Sequence, residues 1–141
     1  MKLPIHLFAI FSFFVSLVSA DESEFRTATI DLGIVVSDLD KSMKFYTEAV
    51  GFSSTGEFTA AKDVTRDSGL SAGEEIVIKK LSLGKGNGAT TIKLMQSAID
   101  KSKKSDQTYI TSSLGFSYLT IHVNSTKTAL KRLKKAGVKV L

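Results

Sequence analysis

Apolar and polar residues alternate through TIDLGIVV, residues 29–36. Leu32, Ile34 and Val36 fall on one parity, and Asp31, Gly33 and Val35 on the other. A period of two places these sets on opposite faces of a strand. The period then changes. Ser37 and Asp38 offer N-cap oxygens, and LDKSMKFYTEAV carries Leu39, Met43, Tyr46 and Val50 on one helical stripe before a stop at Gly51. Further strands are predicted over 52–59, 76–83 and 89–96. Glycines at 84, 86 and 88 join the last two as a hairpin, because glycine adopts the positive φ angles such a turn needs. Residues 60–74 are polar and mixed, which predicts loop with a helical turn near 61–65. Beyond a polar connection, 116–123 predicts a fifth strand. KTALKRLKKAG predicts a helix capped by Ser125 or Thr126, and 138–141 starts a sixth strand.

The end of this pattern repeats its beginning. Leu32, Ile34 and Val36 align with Leu119, Ile121 and Val123, and the helices follow in nearly the same register, stopping at Gly51 and Gly137. Strand, cap, helix and glycine recurring in that order point to a duplicated βαβββ module. The expected fold class is α+β. Module one spans about 27–98, a connection runs over 99–115, and a second module occupies 116–141. About three strands are expected after the second helix, and only residues 138–141 follow it, so the second module is expected to be incomplete at the C-terminus.

Composition changes the picture at the N-terminus. Residues 1–20, MKLPIHLFAIFSFFVSLVSA, combine Lys2, an apolar run from Leu7 to Val18, and small residues Val18 and Ala20 before Asp21. That is the pattern of a secretory signal peptide. The expected working chain is therefore 21–141, secreted or periplasmic, with no stable membrane insertion after cleavage. The sequence has no cysteine, which excludes disulfides, thiolate nucleophiles and cysteine-ligated metals. The formal charge is +5. Much of the excess sits on one helix, at Lys127, Lys131, Arg132, Lys134 and Lys135, and is read as a solvated face beside the apolar stripe Ala129, Leu130, Leu133 and Ala136. No aromatic–basic interleaving suggests a nucleic-acid partner. The glycines of 84–88 lack the Gly-Lys-Ser/Thr ending of a phosphate loop. No G-x-S-x-G nucleophile elbow occurs.

The stretch DLGIVVSDLDKSMKFYTEAVGF (31–52), followed by LSLGKGNGATTIKLM (81–95) and YLTIHVNSTKTALKRLKKAGVKVL (118–141), resembles the vicinal oxygen chelate superfamily. That superfamily includes glyoxalase I, bleomycin-resistance proteins and extradiol dioxygenases. The resemblance implies paired modules around a concave mixed sheet, and relatives commonly dimerise, so a homodimer is compatible with it. It also implies a divalent-metal site with up to four ligands. The first falls on Asp31, the second near Lys93 and the third on Tyr118. The fourth belongs to a final strand for which the sequence offers no residue.

Divalent metals need donors with free lone pairs. Asp31 qualifies, protonated Lys93 does not, and neutral Tyr118 is a poor donor. The resemblance thus supports the fold and weighs against the family's metal chemistry, with no cofactor expected unless the chain is an enzyme holding a divalent metal. The opposite charges of Asp31 and Lys93 suggest an ion pair where relatives hold the metal. His122, on the parity of Tyr118 and Thr120, reads as a polar residue of the cavity wall, with proton transfer as its functional alternative. The favoured function is a small-molecule binding domain whose cavity is lined by Asp31, Gly33, Val35, Lys93, Met95, Tyr118, Thr120 and His122. The alternatives are a metal-dependent lyase or dioxygenase, and a truncated fragment without function of its own. No catalytic residue is assigned.

Overall fold

In a computed structural model, residues 27, 29–86, 88–98 and 102–140 are described. The expected leader, residues 1–20, lies outside the described residues, as do Asn87 and Leu141. Among the described residues no helix is long and apolar enough to cross a membrane.

The architecture is α+β, and the described residues build one mixed four-stranded sheet. Strand β1 is Asp31–Val35. Helix α1, Leu39–Lys44, continues as a π-helical stretch, Phe45–Val50. Strand β2 is Ser53–Ala60, helix α2 Lys62–Asp67, strand β3 Ile76–Leu83, strand β4 Thr90–Met95 and helix α3 Thr126–Lys135. The sheet order is β1-β4-β3-β2, with β1 parallel to β4 and the other pairs antiparallel.

Alternation decides which face is buried. Leu32, Ile34 and Val36 pack with Phe52, Leu81, Ile92 and Leu94, and the expected helical stripe of Leu39, Met43, Tyr46 and Val50 closes over them. The helix start is fixed twice. The Asp38 carboxylate accepts from the Lys41 N–H, and the Gln96 side-chain oxygen accepts from the Leu39 N–H, both at 2.8 Å. Two donors that an α-helix leaves unpaired are thereby satisfied, one of them by the residue that follows β4. The Thr47 hydroxyl donates to the Met43 carbonyl at 2.9 Å, close to where the helix widens. Gly51, at φ 99°, then ends the helix in the left-handed conformation.

Sequence expectations are corrected in two respects, the C-terminal strands and the basic helix. Residues 116–123 join no ladder, although their apolar alternation reads as a strand. A strand is held by its cross-strand bonds, and none of the described strands pairs with this segment. Ile121 nevertheless packs against the same core as its repeat counterpart Ile34. Residues 138–140 likewise form no strand.

The basic helix is the second correction. Its N-cap is Ser125, whose hydroxyl oxygen accepts from the Thr128 N–H at 3.2 Å. Ala129, Leu130 and Leu133 are half-buried, whereas Ala136 is exposed. Lys127, Lys131, Lys134 and Lys135 are exposed, as a solvated face requires. Arg132 departs from that reading. Its guanidinium donates to the Ala49 carbonyl at 2.9 Å and the Val50 carbonyl at 2.8 Å, bridging α3 to the C-terminus of the first helix. Those carbonyls sit where a helix leaves acceptors unpaired and presents the negative end of its dipole, so a planar cation fits there.

Candidate functional site

The face of the sheet opposite the α1 core is assembled from four strands. Directly opposed residues share a face, so the ladder registers define three rows across it. The first is Val35, Met95, Ile78 and Phe58. The second is Gly33, Lys93, Lys80 and Gly56. The third is Asp31, Thr91, Ser82 and Ser53. One row is apolar, the next holds two lysines between two glycines, and the last holds hydroxyls and a carboxylate.

The apolar row is partly buried and partly open. Met95 and Ile78 join Ala60 and Ile76 in a second buried cluster. Val35 and Phe58, at the outer strands, stay exposed. The chain beyond this cluster is tied down by buried polar contacts. The Thr65 hydroxyl donates to the Glu74 carbonyl at 2.7 Å, and the Glu74 carboxylate accepts from the Ser97 hydroxyl and the Ala98 N–H. The polar, mixed composition of 60–74 predicts loop with a helical turn near 61–65, and it carries no sign that Thr65 and Glu74 are buried.

The charged residues meet as their opposite signs suggested. Lys93 Nζ lies 2.7 Å from Asp31 Oδ2, with the side chains 33% and 52% exposed respectively. The hydrogen bond from Lys93 is the main cause holding the Asp31 carboxyl below the usual carboxylate range. Slight burial opposes it, while the Lys93 charge, a Thr91 hydrogen bond and the nearby Lys80 charge add to it. Lys80 was not singled out from the sequence. It lies directly across from Lys93 in the β3–β4 ladder, and no ion pair among the described residues engages it. The neighbouring Lys79 points to the other face and pairs with Glu57, its cross-strand partner. Alternation along 76–83, combined with the hairpin at 84–88, carried the signal that would have found Lys80.

Five of the eight expected cavity residues therefore share this face: Asp31, Gly33, Val35, Lys93 and Met95. The other three lie on the segment that joins no ladder. Tyr118, Thr120 and His122 are exposed there. Tyr118 lines a shallow, open depression of about 630 Å³ within the connection, together with Ile110, Leu114 and Phe116.

The residues at the resemblance's ligand positions do not fit a divalent metal. Lys93 is an ammonium without a lone pair, and it occupies the one carboxylate present. Tyr118 stands on a segment that no ladder connects to β1. Among the described residues no cluster of three or more His, Asp or Glu side chains is placed to hold a metal ion. The arrangement can instead offer hydrogen bonds, charge and apolar contact to an organic molecule.

Comparison with known proteins bears on the fold. A family model described as Glyoxalase/Bleomycin resistance protein/Dioxygenase superfamily matches residues 28–141. A crystal structure of a glyoxalase family protein from Bacillus cereus is similar at a TM-score of 0.64 and 19% identity, covering 83% of this chain and 76% of that one. No curated protein matches.

Proposed function

The chain belongs to the Glyoxalase/Bleomycin resistance protein/Dioxygenase superfamily, and from that premise we propose that it is an exported domain that binds a small organic molecule on its open sheet face. The observation that carries this reading is the Asp31–Lys93 pair. It occupies the positions where the resemblance expects metal ligands, and it leaves donors and acceptors half-exposed beside an apolar strip. Small-molecule sites commonly combine apolar lining with a few convergent polar groups. Export rests on the leader pattern of residues 1–20. The reading as a metal-dependent lyase or dioxygenase needs donors that Lys93 and Tyr118 do not supply.

The test is a nuclear magnetic resonance titration of the ¹⁵N-labelled chain with a mixed library of neutral, anionic and cationic aromatic compounds. Amide shifts are expected to cluster at Gly33, Val35, Lys93 and Met95. Shifts confined to residues 110–118, or spread over the surface without pattern, would refute a binding site on the sheet.

A further inference from the structure

We propose that the molecule bound on this face is an amphipathic organic anion, its charged head held by Lys80 and Lys93 and its apolar body laid against the exposed Val35 at the β1 edge, beside Met95. This deepens the preceding reading and rests on it.

The charge count supplies the first argument. Lys93, Lys80 and Asp31 lie together on one face, and a single carboxylate serves two ammonium groups. The cluster carries one positive charge in excess. Two lysines directly opposite each other in an antiparallel ladder repel, and like charges so placed are destabilising. Asp31 relieves Lys93. Lys80 feels the Asp31 charge only at longer range, and among the described residues no carboxylate forms an ion pair with it. A bound anion between the two ammonium groups would complete the neutralisation.

Space supplies the second. The lysine row is bounded by Gly33 on β1 and Gly56 on β2, so no side chain rises beside either lysine in that row. A Cβ at Gly56 would meet nothing within 4 Å. A Cβ at Gly33 would lie 3.4 Å from the Met95 methyl, which places that apolar group against the open position.

Order supplies the third. The row on one side of the lysines is apolar and the row on the other carries Thr91, Ser82 and Ser53 with Asp31. A neutral apolar molecule would leave the free ammonium unpaired, and a cation would be repelled by the excess charge. A molecule with one anionic end and one apolar end matches both rows in a single pose.

The test compares 2-naphthoate, 2-naphthamide, 2-naphthylmethylammonium and inorganic phosphate on the full ¹⁵N-labelled chain. The naphthoate is expected to shift Gly33, Lys93 and Met95 and to bind about fivefold tighter than the amide, the range of a half-exposed charge contact. Added salt and Lys80→Gln should each erase that margin, while Lys80→Arg should keep it. Thermal unfolding of the Lys80→Gln chain confirms that it is folded. If the amide or the ammonium compound binds this face as tightly as the naphthoate, the anion inference falls and the binding face stands. The anion inference also falls if Lys80→Gln leaves the margin intact, or if phosphate alone binds as tightly, since the apolar body would then contribute nothing. If none of the four probes shifts this face, the inference falls.

Discussion

Leu94→Ala is expected to destabilise the chain by about 3 kcal/mol, within the range measured when a fully buried leucine is truncated. Leu94 has no exposed surface and lies in the main core cluster. Its strand, β4, pairs with β1 on one side and β3 on the other, so the backbone is held from both directions and has little freedom to collapse into the void. The lost transfer energy is therefore joined by a cavity term. Urea denaturation should show a lower midpoint with an unchanged slope, the sign of reduced stability without a changed denatured state. A loss below about 1 kcal/mol would mean that the core relaxes around β4 more easily than its double pairing allows.

Arg132→Ala carries the second largest expected effect, about 2 kcal/mol, the range for hydrogen bonds made by a charged group. The substitution removes the donors to the Ala49 and Val50 carbonyls. It also removes the cation from the negative end of the first helix and the planar group lying against Gly51, where a Cβ would come within 3.1 Å of the guanidinium carbon. Hydrogen exchange should accelerate most across Thr126–Lys135, because α3 loses its polar tie to the rest of the fold. Arg132→Lys should recover only part of the loss, since an ammonium cannot reproduce the two-pronged donor geometry. Unchanged exchange in α3 would show that Leu130 and Leu133 hold the helix unaided.

These effects also mark what the sequence could and could not reveal. The core was legible because strand and helix periods differ. Leu32, Ile34 and Val36 on a period of two, and Leu39, Met43, Tyr46 and Val50 on a helical stripe, are the residues that meet in the core. The Asp31–Lys93 pair was legible from opposite charges at two positions marked by family resemblance. Arg132 was not, because composition along α3 shows five bases and cannot show which of them faces a neighbouring helix end. Residues 116–123 have a strand's alternation, but a strand also needs a partner, and partners are set by tertiary pairing, not by local pattern. That is why Tyr118, Thr120 and His122 did not assemble with β1 into one ladder. Lys80 follows from the same parity along Ile76–Leu83, but it stands at none of the positions that the family resemblance marks, whereas Lys93 stands at one.

The Asp31–Lys93 ion pair occupies positions at which the family resemblance expects metal ligands, which predicts that this face takes up no divalent metal. Titration of Mn(II) into the ¹⁵N-labelled chain tests it most directly, because a bound paramagnetic ion broadens the amide signals around it. The expected result is no broadening at Gly33, Val35 or Lys93 beyond that seen near exposed carboxylates such as Asp40 and Asp63. Saturable broadening centred on Gly33 and Lys93 at one equivalent of metal would contradict the claim.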